Sequence, residues 1–183
     1  MKLAKGTILI AEPFMMDPNF KRSVLILCDY SIEEGSVGFV LNKPIDMSVN
    51  DLVADFPKFE AKVNFGGPVA TDTIHYIHTV GDLVDDSIKV GDGIYWGGSF
   101  EKLKFLIQSE LILPKDIRFF IGYSGWSAGQ LEDEMEIGSW VMHDSDANYI
   151  FKSSQDELWT QTLINKGNTY SVISQMPDNF NLN

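Results

Sequence analysis

Residues 23–42 read SVLILCDYSIEEGSVGFVLN, two apolar, β-branched runs on either side of Glu33-Glu34-Gly35. Ser23 to Cys28 and Ser36 to Asn42 each have the length and composition of a buried strand, and the turn chemistry between them joins antiparallel neighbours. A hairpin is expected. Upstream, Gly6 to Ala11 (GTILIA) supplies another buried strand, and the Pro- and Asp-containing stretch from Pro13 to Arg22 reads as a loop. Downstream, Lys43-Pro44 stops the hairpin strand, and Ser48 caps an amphipathic helix to Phe56 with Val49, Leu52, Val53 and Phe56 at helical spacing. Ala61 to Phe65 leads into Gly66-Gly67-Pro68, and Thr73 to Val80 returns extended. Strands are expected at Ser87 to Val90 and Gly93 to Trp96, split by a turn at Gly91-Asp92-Gly93. Ser99 caps the clearest helix, to Glu110, with Pro114 just beyond it. Ile117 to Tyr123 is again a buried strand, Gly129 to Ile137 an acidic helix, Trp140 to Met142 a strand and Gln155 to Asn165 a helix. The tail from Pro177 to Asn183 is polar.

Helices interleave with strands, several of them hairpin-linked. The expected fold is therefore α/β: a single-domain α/β sandwich over residues 1–183, with a mixed, largely antiparallel sheet and flanking helices. Composition agrees, since 183 residues with a 44% hydrophobic and 12% aromatic content suit one packed core. Fourteen Lys and Arg against 26 Asp and Glu leave a net charge of −12. That argues against broad nucleic-acid binding, whose affinity comes from cations on phosphates. Cys28 is the single cysteine, which excludes an intramolecular disulfide or a multi-cysteine zinc site and suits a reducing compartment. Glu12 and Pro13 interrupt the N-terminal apolar run before a signal-peptide core forms, and no run approaches the roughly 20 residues that span a bilayer. A cytoplasmic protein without membrane contact is the expectation.

Candidate chemistry is thin. His75 and His78 lie three apart in a strand, on opposite faces. His143 and Asp144-Ser145-Asp146 lack both a convergent ligand set and the glycine and distal glutamate of a calcium loop, so no metal is expected. No Walker lysine or G-x-G-x-x-G calls for a cofactor. Gly97-Gly98-Ser99, at a strand-to-helix junction, has the backbone of a weak anion site. Cys28 shares a face with Val24 and Ile26, which makes it a core residue first, and Asp29 beside it disfavours a thiolate. Ser124 follows a strand and precedes a helix in Gly122-Tyr123-Ser124-Gly125-Trp126, but Trp126 occupies the place of the second glycine of G-x-S-x-G. Asp133 and His143 are the acid and base such a serine hydrolase would use. Between Arg118 and Lys152 there is no Lys or Arg, while Glu132, Asp133, Glu134, Glu136, Asp144 and Asp146 contribute six negative charges and Trp126 and Trp140 lie in the same stretch. Such a stretch suits a basic or amphipathic partner, or else a solvated acidic helix with two core tryptophans.

Four blocks in this order resemble the YqgE/AlgH family of bacterial proteins: Gly6 to Ala11 with Pro13 and Asp17 to Val24; Gly35 to Pro44; Gly66-Gly67-Pro68-Val69; and Gly122 to Trp126 followed by Gly129-Gln130-Leu131-Glu132 and Trp140. The ending from Met176-Pro177-Asp178 to Asn183 is similar as well. The resemblance implies a single cytosolic α/β sandwich, in a family without an established biochemical activity whose members are often labelled transcriptional regulators. Many members carry histidine where this chain has Tyr30, and alanine where it has Ser36. Signature residues map to Asn42, Lys43, Pro44, Gly66, Gly67, Pro68, Gly122, Tyr123, Ser124, Gly125, Trp126, Gln130, Glu134 and Trp140. Many suit turns and packing, whereas Gln130 and the Asn42-Lys43 pair call for polar partners. The leading expectation is a non-enzymatic module that acts on gene expression indirectly, binding a protein partner or small ligand in a cleft framed by those turns. The alternatives are a serine hydrolase using Ser124 and a direct DNA-binding regulator.

Overall fold

A computed structural model of the chain describes residues 2–144, 146–152 and 157–164. Its first strands are β1 (Ile8–Ala11), β2 (Val24–Ser31) and β3 (Gly35–Val40). They form an antiparallel meander, with Ile8 opposite Ile26 and Ile26 opposite Phe39. Their unbroken apolar runs follow from burial on both faces. Ile8, Ile10, Val24, Ile26, Cys28 and Phe39 enter one core, whereas Leu9, Ala11, Leu25, Leu27 and Val40 enter another on the opposite side.

Next come β4 (Pro44–Ser48), a one-turn helix α1 (Val49–Leu52), β5 (Lys62–Phe65), β6 (Val69–His78), β7 (Ile88–Gly91) and β8 (Ile94–Trp96). Helix α2 (Phe100–Gln108) and a 3-10 turn at Pro114–Asp116 lead into β9 (Ile117–Trp126). Helix α3 (Gln130–Glu136), β10 (Trp140–His143), α4 (Ala147–Lys152) and α5 (Leu158–Ile164) follow. The ten strands join in the order β10-β1-β2-β3-β9-β6-β8-β7, with β5 also on β9 and β4 on β5. Among the described residues the sheet is mixed and largely antiparallel, because only the β5–β9 pairing there is parallel.

Helices cover the sheet from both sides. Ile150 of α4 and Leu158, Trp159 and Leu163 of α5 close the core over β1 and β2. Trp159 fixes α5 there by donating its indole N–H to the Ala11 carbonyl at 2.9 Å. Leu131 of α3 closes the opposite core with Trp126 and Trp140. Leu103, Leu106 and Ile107 of α2 pack with Val49, Val63, Ile117 and Phe119 in a third core. Ser99 caps α2 as its spacing indicates, its Oγ accepting from the Lys102 N–H at 3.3 Å.

Several boundaries differ from the sequence reading, each for a local reason. The helix from Ser48 stops after one turn because the Asn50 carboxamide takes the Phe56 and Pro57 carbonyls and the Phe59 N–H, bending the chain back on itself. Pro44 opens strand β4 and does not merely end the hairpin; this strand is mostly exposed and has no apolar pattern to announce it. Strand β6 begins at Val69, with an irregularity in pairing between Val69 and Ile74. Strand β9 runs through Gly122 to Trp126. Helix α4 was not anticipated. The expected helix from Gln155 to Asn165 is observed from Leu158 to Ile164; its flanks and the tail from Pro177 to Asn183 lie outside the described residues.

Candidate functional site

Strand β9 changes partners in mid-course. Residues 117–123 pair with β6, and 119–121 also with β5, whereas Ser124, Gly125 and Trp126 pair with Gly38, Val37 and Ser36 of β3. At the exchange point two backbones lie almost in contact. A Cβ on Gly66 would stand 2.3 Å from the Gly122 carbonyl oxygen, and one on Gly122 2.4 Å from that of Gly67. Only glycine fits, and Gly122 also holds φ at +64°. The Gly66 carbonyl accepts from the Val40 N–H at 2.9 Å and from the Ser124 hydroxyl at 3.0 Å. Ser124 is thus a fully buried strand residue that ties β9 to this crossing, and not an exposed residue on an elbow.

The Asn42-Lys43 pair clamps the loop between β1 and β2. Asn42 Oδ1 accepts from the Val24 N–H at 2.8 Å while its Nδ2 donates to the Arg22 carbonyl at 2.9 Å. Lys43 Nζ donates to the Pro18 carbonyl at 2.9 Å and the Asn19 carbonyl at 2.7 Å. The loop so held delivers Phe20 onto two tryptophans, its ring 6.5 Å from Trp126 and 5.6 Å from Trp140 between centroids. Glu134 joins those indoles from the other side. Its Oε2 accepts from Trp126 Nε1 at 2.9 Å and Trp140 Nε1 at 2.7 Å, and its Oε1 accepts from Gln130 Nε2 at 2.9 Å. Gln130 Oε1 completes the chain by accepting from the N–H and hydroxyl of Ser127. The polar residues that asked for partners therefore have them.

A cleft of about 540 Å³ opens where the β2–β3 hairpin meets the end of β9. It brings together Tyr123, Gly125 and Trp126 of the nominated residues, and adds Tyr30, Ser36 and Val69 with the charged Lys5, Asp29 and Glu34. Asn42, Lys43 and Pro44 do not line this cleft, nor do Gly66, Gly67 and Pro68. Lys5 Nζ lies 2.8 Å from Asp29 Oδ1, and that hydrogen bond holds the Asp29 carboxyl below its ordinary pKa. The Tyr30 hydroxyl donates to Glu132 Oε1 at 2.6 Å, which pushes the phenol upward. Tyr123 packs edge-on against His75, whose pKa is lowered by burial. Sequence reasoning placed Tyr30 beside this chemistry only through the family position; Lys5, Asp29 and Glu34 carried no motif, because an open cleft recruits surface charges from separate loops.

Among the described residues, no three His, Cys, Asp or Glu side chains are grouped to hold a metal ion, and no helix is long and apolar enough to cross a membrane. His75 and His78 face opposite sides, and His78 is fully buried, its Nε2 lying 2.9 Å from the Gly97 carbonyl. The Cys28 thiol is raised well above its ordinary pKa by burial and, secondarily, by Asp29.

The described residues thus define an α/β protein built on one ten-stranded sheet, with a hydrogen-bonded aromatic frame behind an open cleft. A family model described as AlgH-like matches residues 8–171, and the chain belongs to that family. The UPF0301 protein of Chlorobium phaeobacteroides is 41% identical over 177 residues, covering 97% of this chain and 94% of that relative. Its counterpart in Cytophaga hutchinsonii is 38% identical over 182 residues, covering 99% of this chain and all of that one. The solution structure of the AlgH protein from Pseudomonas aeruginosa aligns with a TM-score of 0.74 at 26% identity, over 98% of this chain and 100% of that one. A crystal structure from Corynebacterium diphtheriae aligns at a TM-score of 0.79 with 20% identity, over 96% of this chain and 94% of that one; it shares the fold.

Proposed function

We propose that the chain is a cytosolic binding module that acts on gene expression indirectly, holding a segment of a protein partner in the cleft of Tyr30, Tyr123 and Trp126. The observation that carries this reading is the cleft's construction. Tyr30 and Trp126 are held by polar bonds behind the wall, Tyr123 packs against His75, and charges of both signs, Lys5, Asp29 and Glu34, stand at its edge. Rings fixed in advance lose little side-chain freedom on binding, and aromatic anchors dominate interface energies. The charges supply orientation. Burial of Ser124 counts against serine hydrolysis, since its hydroxyl is already spent on the Gly66 carbonyl. The net charge of −12 counts against direct contact with duplex DNA.

The test is capture from extract of the native host under reducing conditions, comparing the wild-type chain with Tyr123→Ala and Lys5→Glu and reading proteins and small molecules by mass spectrometry. Lys5 is a surface residue, and Tyr123 only borders the core beside His75, so both variants should keep the fold, which circular dichroism of each checks. A protein retained by the wild type and lost by both supports the module. Retention by both variants would remove this cleft as the site, and capture of a small molecule alone would replace the partner with a ligand.

A further inference from the structure

A second, smaller pocket of about 240 Å³ lies between β5, β9, the turn at Pro114–Asp116 and α4. Three of the chain's basic residues line it, Lys62, Lys115 and Arg118, against one carboxylate, Glu60. In a chain of net charge −12 this is a local inversion of sign. Arg118 is only 8% exposed. Alternation along β9 sends Ile117 and Phe119 into the α2 core and turns Arg118 to the other face. Its Nη1 donates to the Leu41 carbonyl at 2.9 Å. A guanidinium carries five N–H donors, and among the described residues no carboxylate pairs with this one. Burial draws its pKa down to about 10, which leaves it charged at neutral pH. Beside it Asn64, 1% exposed, spends its Nδ2 on the Phe119 carbonyl, and its Oδ1 has no partner. Arg118 thus borders the opening as a buried cation without a carboxylate partner among the described residues, which is unfavourable until an anion or water meets it, while the Asn64 Oδ1 is an acceptor that calls for a donor, such as a ligand hydroxyl or a water.

We propose that this pocket binds a small phosphomonoester, its phosphate resting on Arg118 with Lys62 and Lys115 at the rim. Three cations against one carboxylate leave a charge of about +2 that matches a dianion, and a phosphate concentrates that charge on one compact group, which suits a small pocket with one guanidinium better than the two separated carboxylates of a dicarboxylate. The volume excludes a dinucleotide, because pockets for drug-sized ligands run from about 300 to 1,000 Å³. The site is separate from the Tyr123 cleft and shares none of its lining.

Isothermal titration of the full chain at fixed ionic strength with inorganic phosphate, glycerol 3-phosphate and succinate tests the assignment. The expected result is saturable one-site binding of both phosphates, tighter than succinate and unchanged in Tyr123→Ala. The double variant Lys62→Ala/Lys115→Ala removes only exposed side chains, so it should stay folded while affinity falls about tenfold, as two exposed charge pairs warrant. Arg118→Lys should abolish the binding, and the double variant keeps the test open if that protein does not fold. Absence of saturable phosphate binding, unchanged affinity in the double variant, or tighter binding of succinate would each overturn the proposal.

Discussion

Glu134→Ala removes one carboxylate and leaves two indole N–H groups facing nothing. Trp126 and Trp140 are 6% and 3% exposed, so neither indole recovers its bond simply by turning to solvent. A buried donor deprived of its partner costs about 1–3 kcal/mol, which gives about 2–6 kcal/mol for the pair. The lower half of that range is the expected loss, because Glu134 is itself only partly buried and water can enter behind the truncated side chain. Even about 3 kcal/mol is a large share of a typical domain stability of about 5–15 kcal/mol. Glu134→Gln keeps the shape and one acceptor oxygen, and forfeits the charge that strengthens both indole bonds. Its expected loss is about 1–2 kcal/mol. Urea denaturation followed by tryptophan fluorescence and near-ultraviolet circular dichroism measures both variants. Trp140→Phe in each background supplies a double-mutant cycle, since phenylalanine keeps the contact with Phe20 and removes the N–H. A Glu134→Ala chain within about 0.5 kcal/mol of the wild type, with unchanged near-ultraviolet spectrum, would refute the reasoning that this carboxylate holds the frame.

Asn42→Ala strips the Val24 N–H and the Arg22 carbonyl of their partner and should cost about 1–2 kcal/mol. Hydrogen exchange should show lost protection centred on Val24 and Ser23 while the β7–β8 hairpin is unaffected. His78 is buried, and its folded pKa lies below 6.5 because burial disfavours the cation. The unfolded chain therefore takes up this proton first, so stability is at its full value above about pH 6.5 and declines as pH falls from there toward the folded pKa. His75 contributes in the same direction. The urea midpoint should fall between pH 7 and pH 5, and His78→Gln should flatten part of that slope. Cys28, fully buried with its thiol pushed upward, should resist alkylation in the native chain at pH 8 and react in urea. Rapid native labelling would contradict its place in the core.

Legibility followed burial. Strand β1 and the first five residues of β2 stand out in the sequence because both faces are covered there, so every one of those positions is apolar; β4 is silent because little covers it. The helix after Ser48 looked longer than it is because Val53 and Phe56 keep helical spacing while packing into the α2 core from a chain that has already turned. The strand from Ile117 reads as ending at Tyr123, because the Ser124-Gly125 that follows suggests a turn, and nothing in the sequence marks Gly122 apart from its neighbours. Its actual role is a kink with φ of +64° that lets β9 pass Gly66 and continue to Trp126. That misplacement also produced the resemblance of Ser124 to an elbow nucleophile. The nominated polar residues were recognisable as residues in need of partners, but the partners themselves were not, because Asn42 meets Arg22 and Lys43 meets Pro18 across twenty or more positions of chain.

The acidic run on α3 illustrates how charge counted along a sequence differs from charge presented in space. Six carboxylates between Arg118 and Lys152, four of them on α3, with no Lys or Arg among them, read either as a field for a basic partner or as a solvated face. Two of them do neither. Glu132 receives the Tyr30 hydroxyl and Glu134 receives both indoles, so one short helix holds two of the cleft's aromatic walls from behind. Tyr30 and Trp126 come from different strands, and each uses its polar tip on α3 and its ring on the cleft. The amphipathic character of the two side chains makes that division possible. It follows that α3 and the cleft are mechanically linked. A partner that displaces Tyr30 or Trp126 must release a carboxylate of α3, and a substitution at Glu132 or Glu134 changes the cleft without touching its occupant.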